Sequence, residues 1–194
     1  ADNFLIVALS WIVFSVVGMV PYLCLADMDV ASAFFETMSG FTTTGATCIN
    51  NIESLPKSLL FWRALTQWIG GLGIVVFSFA LIPVYEMKNS NIYSAEVTGL
   101  GLDKLRPKIG STARRVLLIY LVLTGACAFL YWMGPMNLYD AVCHAFSTIA
   151  TGGFSTHSQS IAYFRSNYIE YVASVFMIVS SLNFSLYYYM SIRR

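Results

Sequence analysis

The segment Val30 to Met38, Val-Ala-Ser-Ala-Phe-Phe-Glu-Thr-Met, constrains the fold of this chain more than any other. It lies between two apolar stretches of membrane-crossing length. As a helix it would rise only about 14 Å, less than half of a bilayer core of roughly 30 Å. It carries Glu36 and runs straight into Ser39-Gly40-Phe41-Thr42-Thr43-Thr44-Gly45-Ala46-Thr47. A half-helix that enters the membrane and returns through the Thr-rich loop accounts for both features. Non-helical backbone survives at that depth only where protein or a water-filled cavity surrounds it. The bland alternative is a surface loop with a Thr-rich turn. Against it, a second short apolar run, Leu138 to Phe146, leads into Ser147-Thr148-Ile149-Ala150-Thr151-Gly152-Gly153-Phe154-Ser155, about 107 positions later. Thr-Gly alone is common. Thr-Gly twice, each time after a half-length helix and between long apolar segments, argues for one design used twice.

Such a loop can do specific chemistry. A backbone held extended, with Gly45 free to take φ/ψ values closed to other residues, can aim successive carbonyl oxygens at one axis. Stacked carbonyls can replace the hydration shell of an alkali cation.

The rest of the chain fits a membrane setting. It is 57% hydrophobic and 11% charged, with mean hydropathy +0.67, where soluble domains carry roughly 25% charged residues. Spans are expected at Phe4 to Leu25, Leu59 to Val84, Val116 to Met133 and Tyr168 to Met190. A net charge of +1 gives no reason to invoke nucleic acid. The stretch Tyr85 to Arg115 carries six basic and three acidic residues. By the positive-inside rule it is a cytoplasmic linker, with Gly99, Gly101, Pro107 and Gly110 interrupting any helix. Both loops then face outside and both termini inside. Trp132, Tyr163 and Tyr168 suit the interface belt, with lipid around the spans. The chain opens Ala1-Asp2-Asn3 with no basic region or cleavage site before its first span, so that span is not a signal peptide. It reads as a piece of a longer protein.

Glu36 and His144 occupy comparable places in the two half-helices. Ionisable groups within a membrane are functional suspects; bracing the half-helix is the role expected of both. His144 and His157 stand 13 residues apart on different elements, which does not suit a metal pair. Cys24, Cys48, Cys127 and Cys143 show no metal or redox spacing and read as packing or idle thiols. Gln67 is expected to hydrogen-bond the loop or a neighbouring helix. Gly70, Gly71 and Gly73 point to close helix packing rather than a bend. No nucleophile elbow, HExxH or intramembrane Asp pair is visible, so no enzyme is expected.

Three stretches, Ser39 to Thr47, Thr66-Gln67-Trp68-Ile69-Gly70-Gly71-Leu72-Gly73, and His144 to Phe154, resemble in order the Trk/Ktr/HKT superfamily of potassium transporters, most closely its bacterial TrkH type. The resemblance implies an all-α integral membrane protein of tandem helix–pore loop–helix repeats of potassium-channel type. The first unit would be 1–84, the linker 85–115 and the second unit 116–194. It implies a bacterial plasma membrane location and K+ as the transported ion. Thr43, Thr44 and Gly45, with Ala150, Thr151 and Gly152, match the filter positions, flanked or supported by Thr42, Ala46, Gly153, Glu36 and His144. Glycine at 45 and 152 matches potassium-preferring members. The family's fold has four units, so the other two would be partners of this chain, together with a second copy in a homodimer and a cytosolic nucleotide-binding regulatory subunit. The family's gating loop and pore-plugging arginine belong to the two units absent here. The expectation is therefore potassium uptake, with this chain as roughly the first half of the pore. A non-conducting membrane scaffold or accessory subunit that kept the fold is the competing reading, and an intramembrane enzyme using His144 or Glu36 a distant third.

Overall fold

The computed structural model describes residues 2–90 and 109–182. Among these residues the chain forms seven α-helices and two short 3-10 turns, and no strand. The helices are α1 (Asp2–Gly18), α2 (Val20–Leu25), α3 (Val30–Phe41), α4 (Lys57–Ser90), α5 (Ile109–Met133), α6 (Leu138–Ile149) and α7 (Asn167–Ser181).

The first span is interrupted where the sequence suggested one continuous helix. Pro21 has no N–H to give, and the Tyr22 N–H turns to the Met19 carbonyl at 3.0 Å. That frees the Gly18 carbonyl, which accepts from the indole Nε1 of Trp62 on α4 at 2.9 Å. The break is thus repaired by a neighbouring helix.

The half-helices α3 and α6 run three residues further than expected, to Phe41 and Ile149. The apolar pattern stops at Ser39 and Ser147, but both residues are buried and stay helical. Each half-helix starts on a side-chain cap. The Asp29 carboxylate accepts from Ser32 N at 3.0 Å, and the Asn137 amide oxygen accepts from Asp140 N at 2.8 Å. Caps of this kind satisfy amides that a helix start leaves without partners.

α4 runs unbroken through Gly70-Gly71-Leu72-Gly73 and on to Ser90, six residues past the expected end of the span at Val84. The glycines permit close packing, as expected. A Cβ on Gly70 would fall 1.9 Å from the Phe41 carbonyl, and one on Gly71 would fall 3.0 Å from the Ala150 Cβ. Gly110, expected to interrupt a helix, lies in the first turn of α5. Gly99, Gly101, Pro107 and the end of the fourth span beyond Leu182 lie outside the described residues.

α6 sits on the second long helix pair. Tyr120, Cys127 and Tyr131 of α5 and Ile169, Ala173 and Phe176 of α7 pack with Ala141, Ala145 and Ile149 of α6 into one buried cluster. The outer faces are the reverse. Leu9, Val13 and Val17 on α1, Leu118 and Val122 on α5, and Val175 and Ile178 on α7 are all exposed. Apolar rows at helical spacing on the outside suit a hydrocarbon surround. Ala8–Leu25 and Arg114–Met133 are each long and apolar enough to cross a bilayer.

Candidate functional site

The loops after α3 and α6 share two backbone hydrogen bonds at matched places. Thr44 N donates to Ser39 O at 2.9 Å, and Gly152 N donates to Ser147 O at 2.9 Å. Thr43 N donates to Gly40 O at 3.0 Å, and Thr151 N donates to Thr148 O at 3.1 Å. Every such pair is 108 residues apart, as are the caps Asp29 and Asn137 and the side chains Glu36 and His144. The register differs by one from the expected spacing of about 107. Gly45 therefore corresponds to Gly153, not to Gly152, and Thr43 to Thr151, not to Ala150.

Backbone handedness follows the corrected register. Thr43 and Thr151 are left-handed, with φ 54° and 53°, and so are Gly45 and Gly153, with φ 75° and 85°; Thr44 and Gly152 between them are not. In an extended chain successive carbonyls face opposite sides. A left-handed residue at every second position turns alternate peptide planes over, so that the carbonyls share a side. Left-handed threonine is costly, on the order of 1–3 kcal/mol, and such strain concentrates at functional sites. The carbonyls of Thr43, Thr44 and Gly45, and of Thr151, Gly152 and Gly153, accept no hydrogen bond among the described residues. Ala150, by contrast, is the C-cap of α6, the place Thr42 holds on α3, and its carbonyl accepts from the Thr151 hydroxyl at 2.7 Å. That removes it from the row of open carbonyls.

The two loops touch. A Cβ on Gly45 would lie 1.9 Å from the Gly152 carbonyl oxygen, while one on Gly152 would strike the Gln67 amide at 2.3–2.6 Å. Gly45 is needed for both its φ and its neighbour. Gly152 is needed only for room, and Gly153 only for its φ.

Each loop is tied from behind. Ser39 Oγ donates to Ala46 O at 2.6 Å. Glu36, fully buried, accepts from Thr47 Oγ1 at 2.9 Å and from Cys48 N at 3.2 Å. His144 Nε2 pairs with Ser155 Oγ at 2.9 Å, and its Nδ1 with the Asp140 carbonyl at 2.8 Å. Thr47 and Ser155 are again 108 apart. Both ionisable groups hydrogen-bond residues of the loops, where the sequence suggested that they brace the half-helices. Gln67 Oε1 accepts from Ser147 Oγ at 2.8 Å and from Phe154 N at 3.0 Å, which anchors the second loop to α4. The two histidines come closer than their separation in sequence suggests: His157 N donates to Ser155 Oγ at 3.0 Å, and its Nε2 lies 3.4 Å from Asp140 Oδ2.

Arg63 joins the site from outside the residues that the sequence pattern singles out. It is 1% exposed and donates to Glu36 Oε1 through Nε at 2.9 Å and Nη2 at 2.7 Å. A signal is present in the sequence: an arginine inside an apolar span must find a partner, and Glu36 is an acid in the adjoining half-helix. Ser39, Ser147, Thr47 and Ser155 carried no such signal, because their roles arise only from contacts across the fold.

The chain can now be set beside known proteins. A family model described as TrkH, cation transport protein, matches residues 1–194. The Trk system potassium uptake protein TrkH of Vibrio parahaemolyticus is 46% identical over 191 residues, covering 96% of this chain and 39% of the relative. The protein of that name from Escherichia coli K12 is 43% identical over 190 residues, with 96% and 39% covered. The crystal structure of the potassium transporter TrkH from Vibrio parahaemolyticus superimposes with a TM-score of 0.81 at 44% identity, covering 96% of this chain and 37% of that one. The chain thus spans about two fifths of the length of the relatives it matches. The matching family is one of membrane transport proteins rather than enzymes. Matched along its whole length by sequence, and sharing the relative's helical fold, the chain belongs to the TrkH family of cation transport proteins.

Proposed function

We propose that this chain supplies two of the pore-lining units of a potassium uptake transporter, and that its Thr-Gly loops are two walls of the ion filter. The ion-facing carbonyls are those of Thr43, Thr44 and Gly45 in the first loop and of Thr151, Gly152 and Gly153 in the second. The observation that carries the reading is the alternation of left-handed and ordinary residues at matched places in both loops, a pattern that can turn unpartnered carbonyls to one side. Carbonyl dipoles substitute for water around a dehydrated cation. The ion sheds water at the outer mouth, passes along the carbonyls and enters the cell down its electrochemical gradient, with no covalent step. Glu36 and His144 hold the loops rather than the ion.

On this reading the chain divides at residues 1–84, 85–115 and 116–194. The loops face outward from a bacterial plasma membrane, and the linker and both termini lie in the cytoplasm. Two loops leave half of the cation's shell open. Two further loop-bearing units complete it, and the whole pairs with a second copy and with a cytosolic nucleotide-binding regulator, as the family resemblance implies. The test is ion uptake by cells that lack their own potassium uptake and express the full-length protein. Potassium uptake well above sodium uptake is expected. Uptake no greater than in cells carrying an empty vector would reject the function.

A further inference from the structure

Arg63 holds more than an ion pair needs. Neutralising Glu36 takes one cation at one carboxylate oxygen. The Arg63 guanidinium does that with Nε and Nη2, and then reaches both loops. Nη2 donates to Thr47 Oγ1 at 3.3 Å, and Nη1 donates to the Ser155 carbonyl at 3.2 Å. Thr47 follows Gly45 by two residues and Ser155 follows Gly153 by two, so the two contacts fall at equivalent points just past each row of open carbonyls. The guanidinium carbon Cζ lies over the Phe154 ring, 4.1 Å from its centroid. One rigid, planar group on α4 is therefore wedged between the returning strands of both loops.

Among the described residues no other side chain hydrogen-bonds both loops just past the open carbonyls. Gln67, one turn further along α4, binds only Ser147 and Phe154 of the second half. Ser158 meets Glu53 beyond the loops, at the exposed rim. The guanidinium suits a spacer because its five donors sit in a fixed fork, whereas a lysine ammonium is a point charge on a flexible stem. Discrimination between alkali cations depends on how far apart, and how firmly, the coordinating carbonyls are held.

We propose that Arg63 is a positioning residue for ion selectivity: its guanidinium sets the separation of the two ion-facing loops, and with it the preference for potassium over sodium. The inference rests on the transport reading above. It assigns Arg63 no contact with the ion.

The test uses the full-length protein and two variants, R63K and F154L. R63K keeps a positive charge beside Glu36 and removes the fork. F154L keeps the fork and removes the ring that holds it flat. Potassium and sodium uptake are measured side by side, and folded protein is quantified by size-exclusion chromatography of detergent extracts. R63K is expected to lower the potassium-to-sodium ratio severalfold, and F154L to lower it in the same direction by less. An unchanged ratio in folded R63K, even with slower uptake, would overturn the proposal, because charge alone would then suffice. Should R63K fail to fold, F154L decides: a ratio equal to that of the unsubstituted protein overturns the proposal. Absence of potassium uptake by the unsubstituted protein would strike the transport reading itself, and this inference with it.

Discussion

Gly45, Gly152 and Gly153 show three distinct demands on glycine within one site. At Gly45 an added Cβ meets the Gly152 carbonyl at 1.9 Å and the φ is 75°, so neither backbone nor neighbour can yield cheaply. G45S is expected to cost at least roughly 1–3 kcal/mol in strain and to weaken discrimination against sodium. Unchanged selectivity in paired uptake assays would remove Gly45 from the site. Gly152 and Gly153 can be separated by coupling. The Cβ of G152A lands on the Gln67 amide, whereas that of G153A meets nothing within 4 Å and suffers only from its φ of 85°. Combined with Q67A, G152A should therefore cost clearly less than the two single penalties added, while G153A should simply add. Thermal melts of the three single variants and the two double variants settle it. Equal additivity for both glycines would contradict the 108-residue register.

At the scale of elements, the half-helices depend on their caps and on the rim. Asn137 accepts from Asp140 N through its side chain at 2.8 Å and opens α6. N137A should cost about 1 kcal/mol, visible as a lowered melting temperature, and no shift would mean the cap is replaced by solvent. At the rim, Glu53 in the first half accepts from both the hydroxyl and the amide of Ser158 in the second. These two bonds, the hydroxyl first, hold the Glu53 carboxyl below its ordinary value of 4.5. The sign follows from linkage. A lowered folded pKa contributes stability above the ordinary carboxylate value and loses it as pH falls through the lower, folded value. Melting temperature should thus fall on acidification below about 4.5 more steeply in the unsubstituted protein than in E53Q. Parallel curves would mean that the contact carries no linkage.

For the molecule as a whole, the open carbonyls are the pressing fact. Backbone polar groups left unpaired in hydrocarbon cost several kcal/mol each, so the side bearing the open carbonyls must meet further protein or water. The relatives are about two and a half times as long as the matched region, and on the proposed function further units of the same chain are the complement. A cysteine at Ala46 in the isolated 194-residue chain should not cross-link efficiently to its own copy in detergent. Efficient cross-linking together with potassium-dependent stability would instead favour a pore made of two copies. Orientation is open to a similar probe. A cysteine at Ser90, the last residue of α4, should resist an impermeant thiol reagent applied to intact cells. Ready labelling would invert the topology.

Local pattern was enough for much of this. Apolar segments of full and half length, with Thr-Gly after the half-length ones, specify an all-helical membrane chain with one construction used twice. Each of these depends on neighbours in sequence, where hydrophobic length acts. The glycines of α4 also announced close packing, because a helix tolerates several glycines together only when something approaches it. What sequence left open was everything that depends on distant contacts. The loop register was read one residue short, since Thr-Gly matches Thr-Gly by eye at 107 while Ser39 and Ser147 set the true spacing through their carbonyls. α3 and α6 outran their apolar patterns because Ser39 and Ser147 are buried by the rest of the fold. The break at Met19 was hidden in a continuous apolar run and stabilised by Trp62, 44 residues away from Gly18. Arg63 takes its role only from Glu36, Thr47 and Ser155, which the fold gathers around it. A buried polar group takes its role from the partners that desolvation forces upon it, and only the tertiary structure brings those partners within reach.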